Sequence, residues 1–228
     1  MFVVYLHIWR KFVRIWVAEC SRVVNFVYIM TPKIIFKYSP VYDQNWKEWI
    51  KIYKRKTGKY PTTNQILSYI KKVEKLWRKD EKKILEELSN VTGLKWRSEF
   101  IYCYVVGRCI PFSDPLTLPV YDKYPDDFID TLIHELIHQL FIQKGNKKKT
   151  EKAWNYIDRK YKEESHKTRI HIPLHAIHSH MYLKSFNEKR LNRDIRLISH
   201  LPDYKKAWEI VQKEGYQKII KEFTKRVK

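Results

Sequence analysis

Apolar residues recur along this chain with two periods, and the periods divide it into elements. Ile66, Ile70, Val73 and Trp77 are spaced by four, three and four, which lays one apolar stripe along a helix. Thr62 or Thr63 stands where that helix needs a cap. Ile84, Leu85 and Leu88 continue the long helix to about Asn90, and Gly93 ends it. Upstream, "KIIFKY" (33–38) reads as a short strand, and "DQNWKEWIKIYKRK" (43–56) as a helix stopped by Gly58 and Pro61. After Gly93 the period changes. "EFIYCYVV" (99–106) is aromatic and β-branched and predicts a strand. "PLTLPVY" (115–121) is a short extended segment flanked by prolines, which suits a sheet edge. Pro125 and Asp126 then open an apolar helix, with acids in its first turn as the helix dipole favours. Beyond residue 148 the pattern is helical throughout, with spans of 149–163, 173–186, 188–199, 203–213 and 215–227. The chain shows no internal repeat. The expected class is α+β: a small mixed sheet in residues 30–145, then a helical subdomain over 146–228.

Residues 1–29 differ from the rest. They are strongly apolar but interrupted by Arg10, Lys11, Arg14, Glu19 and Arg22, so no stretch reaches the ~18 uncharged residues of a spanning helix. The more ordinary sequence after Met30 makes that residue a plausible start and the preceding segment an extension. Alternating basic and aromatic residues leave a membrane-surface anchor as the second reading.

Composition changes the picture in two respects. At 228 residues and 44% apolar, the chain can bury one sizeable core or two small ones. With 46 Lys and Arg against 25 acids its net charge is +21, which attracts nucleic acid, acidic surfaces or acidic substrates, or merely keeps the surface solvated. The three cysteines, Cys20, Cys103 and Cys109, are too few and odd in number for a disulfide-stapled secreted domain. A cytoplasmic protein with free thiols is expected, and a thiolate zinc knuckle is not.

The chemistry concentrates in "DDFIDTLIHELIHQLF" (126–141). Helical spacing puts His134 and His138 on one face, one turn apart, where two imidazoles can reach one metal at about 2.0–2.1 Å. Glu135 stands beside that face, placed to take a proton from a water that a metal acidifies. A random chain of this composition would contain the pattern roughly 2% of the time. The flanking Leu132, Ile133, Leu136, Ile137, Leu140 and Phe141 make this a buried helix, in which unpaired polar groups are costly. A metal supplies the missing partners. Asp130, one turn earlier, is a candidate to orient His134.

The HELIH sequence, preceded by a strand, a long helix and further strands and followed by a helical half, resembles the zincin metallopeptidases over roughly residues 33–180. That resemblance implies a zincin-like fold, with "PLTLPV" lying along the substrate and a third metal ligand from further downstream. "HQLFIQKGNKKKT" lacks the Gly and His of the metzincin form. Of the acids that a gluzincin-like form would use, Glu163 and Glu164 have suitable distance, Glu151 is close, and Asp158 would suit an aspartate variant. The chain also carries "HIPLHAIHSHM" (171–181) in an apolar context. If Pro173 opens that helix, His175 falls in its first turn and becomes the favoured third ligand, with Glu164 or His171 as the alternatives. His171 or His178 would then support the site, and His178 or Tyr182 would meet the oxyanion.

These residues predict a Zn²⁺-dependent metallopeptidase acting on peptides or proteins, with Glu135 as general base and His134, His138 and His175 as ligands. The alternatives are a basic nucleic-acid-associated protein and a metal-binding domain without activity.

Overall fold

The computed structural model describes residues 31–53, 58–122 and 124–228. The expectations for residues 1–29 and Cys20 lie outside the described residues. The architecture is α+β and rich in helix, with one small mixed sheet of four strands: β1 (Lys33–Lys37), β2 (Phe100–Val106), β3 (Phe112–Ser113) and β4 (Leu116–Pro119). Their order is β1-β2-β4-β3, with β1, β2 and β4 parallel and β3 antiparallel. Helices α1 (Pro40–Ile52), α2 (Thr63–Trp77) and α3 (Glu81–Thr92) lie between β1 and β2 in the chain. Helix α4 (Pro125–Ile142) carries HELIH. It is followed by α5 (Asn146–Lys160), α6 (His166–Ser185), α7 (Glu188–Ile198), α8 (Pro202–Glu214) and α9 (Tyr216–Thr224).

The period-two alternation of β1 and β2 turns Ile34, Ile101, Cys103 and Val105 inward, all of them buried. The α2 stripe Ile66, Ile70, Val73 and Trp77 and the α4 residues Phe128, Leu132 and Leu136 belong to the same core. This core is continuous with Ile172, Trp208 and Phe223 of the helical half. Each fully buried aliphatic side chain contributes about 1.5–3 kcal/mol. Helix α6 runs through the middle of the helical half, in contact with α3, α4, α5, α7, α8 and α9, which explains why its polar residues are buried too.

Local chemistry fixes the boundaries. Ser39 caps α1 with Pro40 in its first turn, so α1 starts three residues before the expected Asp43. Thr62 and Gln65 form a capping box on α2. Gly93, at φ +68°, ends α3 in the left-handed region. At Gly107 a side chain would strike the Tyr60 ring at 2.4 Å, and its N–H donates to Asp43 Oδ1 at 2.6 Å.

Three expectations are corrected. The long helix to Asn90 is two helices, broken at residues 78–80. That turn lets Glu81 accept from Ile34 N (2.8 Å) while Arg78 donates to Ile34 O (2.8 Å), satisfying the outer backbone of edge strand β1. Within "PLTLPV", β4 is an interior strand paired on both sides and buried at all four positions; the edge is β3. Pro115 lies in the turn between β3 and β4, and Pro119 is the last residue of β4, opposite Val106. Finally, Pro173 is inside α6 rather than at its start. Ser165 caps that helix by accepting from Thr168 N, so it begins seven residues earlier than Pro173 indicates.

Candidate metal centre

Two helices build the site. On α4, His134 and His138 stand one turn apart with ring centroids 5.2 Å from each other. From α6, His171 packs against them, at 5.5 Å from His134 and 5.4 Å from His138. Imidazole nitrogens about 2.0–2.1 Å from a tetrahedral metal put ring centres about 5.2 Å apart, close to all three separations. One ligand nitrogen from each of these residues lies within 4.8 Å of the other two, so the group can hold a metal ion. A bound ion would draw them to about 3.4 Å.

The hydrogen bonding of His171 fixes its tautomer. Its Nδ1 is 2.7 Å from the Lys167 carbonyl, which can only accept, so Nδ1 carries the proton. Nε2 is then a bare lone pair. It is buried with no protein partner, as a metal-binding nitrogen should be. Burial lowers the pKa of all three imidazoles, most strongly at His134, and brings His138 to about 4; neighbouring histidines add to the effect at both α4 residues. They are neutral at pH 7, the form a metal requires.

Glu135 is buried, and burial pushes its carboxyl up to about 8. It lines a cavity of about 260 Å³ together with His134, His178, Asp194 and Tyr204. Ile110 and Pro111, just before β3, form part of the wall, and Ile198 and Leu201 at the α7–α8 corner form another. His178 Nδ1 lies 4.0 Å from Asp194 Oδ2. Burial, and then the neighbouring Asp130, lift Asp194 to about 7, while burial and then Arg190 lower His178 to about 3. Tyr204 packs its ring against His171 at 4.2 Å, and burial followed by Glu135 raises its phenol to about 12.

The three histidines that the structure brings within reach of one ion are His134, His138 and His171; the expected third ligand, His175, has its ring 5.9 Å from His134 but is not in that group. His175 lies one turn further along α6, fully buried, and stacks on Trp208 at 4.2 Å and 12°. Because α6 begins at His166, His175 lies in the helix interior rather than in its first turn. The acidic candidates also lie elsewhere. Glu164 pairs with Lys206 at 3.5 Å, Asp158 with Arg169 at 2.8 Å and Glu163 with its neighbour Lys162, while Glu151 is exposed on α5. Asp130 does not orient His134. It is held by Arg190 (2.7 Å) and Arg193 (3.1 Å) of α7. His180 turns away to Glu87 at 2.6 Å.

Asp194 and Tyr204 were not anticipated. They lie 56 and 66 residues beyond His138, and no spacing rule links them to the motif. Cys103 and Cys109 are free thiols, as expected. No helix among the described residues is long and apolar enough to cross a membrane. Comparison with family models, curated proteins and solved structures finds no match for this chain.

Proposed function

We propose that this chain is a zinc-dependent peptidase of zincin-like design, with His134, His138 and His171 holding the metal and Glu135 as general base. The observation that carries the reading is one piece of geometry. Three neutral imidazoles converge within 4.8 Å, and the buried carboxylate of Glu135 opens into the cavity beside them. The donor set fits a borderline-soft divalent ion, and the buried Nε2 of His171 has no protein partner, a condition it shares with both ring nitrogens of His175 and His178. Bound there, zinc would supply Lewis acidity, bringing a water towards ionisation near neutral pH and polarising a substrate carbonyl.

The chain's own residues do the rest. Glu135 takes the proton of the attacking water and delivers it to the leaving amine. The positive charge of a bound ion opposes the burial that raises this carboxyl, returning Glu135 to the anionic form that can accept a proton. His178 and Tyr204 line the same cavity and are the donors available to the developing oxyanion. Ile110, Ile198 and Leu201 give the cavity an apolar wall.

The test pairs metal analysis with a peptide-library cleavage assay. The parent should bind about one equivalent of zinc and cleave. Glu135→Gln should keep the metal and lose cleavage by about 100-fold or more, since only the proton acceptor is removed. A parent that takes up no zinc would sink the metal reading. A Glu135→Gln variant as fast as the parent would remove Glu135 from the mechanism.

A further inference from the structure

The two faces of the sheet are unequal. Ile34, Phe36, Ile101, Cys103 and Val105 point to the core, where Phe36 meets Phe128 of α4 at 5.9 Å. The opposite face presents Lys33, Ile35 and Lys37 of β1 beside Phe100, Tyr102 and Tyr104 of β2, in direct register. Helix α1 covers one end of it: Tyr42 packs on Tyr104 at 5.7 Å and Trp46 on Phe112 at 5.9 Å. Phe100 and Tyr102 remain 46% and 47% exposed. These are neighbouring ring positions on one strand, about 6.6 Å apart. An exposed ring pair on a sheet is costly in water and points to a partner.

The charge around the rings says which partner. No strand position on this face of β1 or β2 is acidic, and Lys33 and Lys37 flank the rings. Lys37 Nζ already lies 3.8 Å above the Tyr102 ring. The chain as a whole carries +21. Flat aromatic rings at single-residue-pair spacing, bordered by ammonium groups, match a polyanion whose flat faces are unstacked and free. A duplex hides those faces, and its phosphates alone would use the lysines but not the rings. A bilayer would have to draw two lysines towards the hydrocarbon along with the rings.

We infer that the outer face of the sheet, centred on Phe100 and Tyr102, is a docking platform for single-stranded nucleic acid. Bases stack on the two rings, and Lys33 and Lys37 meet phosphates, with the Lys37 ammonium leaving Tyr102 as a base replaces it. The platform lies on the side of the sheet opposite α4, so it goes beyond the peptidase reading and does not depend on it. If both hold, the enzyme acts on proteins while attached to a nucleic-acid strand.

The experiment uses the purified full chain and a short fluorescein-labelled oligothymidylate, followed by anisotropy between about 50 and 200 mM salt. The parent should bind it more tightly than a duplex of equal length. Phe100→Ala and Tyr102→Ala should each weaken binding about fivefold or more with the salt slope unchanged, and Tyr102→Phe should retain it. Lys33→Ala with Lys37→Ala should flatten the salt slope by about 1.4, from 0.7 per phosphate contact. Both rings are exposed, so the variants should keep the parental thermal melt, which is checked first. Glu135→Gln should bind as the parent does, separating failure here from failure of the peptidase reading. Equal binding by parent and ring variants would reduce the interaction to general charge and overturn the platform. So would a preference for phosphatidylserine vesicles over the oligonucleotide, or ring-dependent self-association without it.

Discussion

Replacing His171 and His175 in turn gives the sharpest test of the metal centre. Each is a buried imidazole on α6, and each loses one ring on mutation to alanine, so packing losses are comparable. In the proposed site their roles differ: His171 completes the group with His134 and His138, while His175 stacks on Trp208. Zinc that binds only the folded state, at about 1,000 times its dissociation constant, adds about 4.1 kcal/mol. For a chain of this size that is roughly 8–16 °C in Tm, at 2–4 °C per kcal/mol. Loss of one of three ligands should weaken affinity at least as much as the about 100-fold upper range for changes around the ligands. That removes about 2.7 kcal/mol, or roughly 5–11 °C of the zinc-induced shift. Differential scanning fluorimetry with and without zinc measures each variant against its own metal-free melt, so packing losses cancel. His171→Ala should lose most of the shift and His175→Ala should keep it. The reverse result would return His175 to the ligand set and refute the α6 geometry.

Asp130→Ala should destabilise the fold by about 3–5 kcal/mol in urea unfolding, because it leaves Arg190 without its buried partner; a change under about 1 kcal/mol would show the clamp to be idle. Asp194 has a folded pKa of about 7, above its ordinary value, so the folded state holds a proton that the unfolded chain has lost. Its contribution to stability is therefore present below pH 4 and falls as pH rises to about 7. The stability advantage of Asp194→Asn over the parent should grow across that window and then level off. Comparison against the variant cancels the opposite slope from His178, whose folded pKa is lowered to about 3. An advantage that stays constant from pH 4 to 8 in chemical denaturation would mean Asp194 is not held protonated.

The sequence by itself determined what local rules can determine. The stripe from Ile66 to Trp77 is helical wherever it packs, and the alternation of β1 and β2 places one face inward whatever that face meets. His134, Glu135 and His138 are fixed to each other by 3.6 residues per turn, so half of the candidate metal centre was legible before any packing was known. The other half depended on how α6 packs against α4. Pro173 favours a first turn, and inside a helix it loses a backbone bond and crowds the carbonyl four residues earlier at about 3 kcal/mol, but the Ser165 cap with burial on every side of α6 outweighs it. His171 and His175 lie one turn apart on the same face of α6, with rings 5.5 and 5.9 Å from His134, and only the way α6 packs along α4 brings His171 into the group with His138. The same distinction holds for the sheet. Composition makes 116–119 a strand, but interior or edge depends on whether β3 folds back beside it. Asp194 and Tyr204 reach the cavity only because α7 and α8 pack across α6, and contacts between residues so distant in sequence are set by the closing of the common core rather than by any local period.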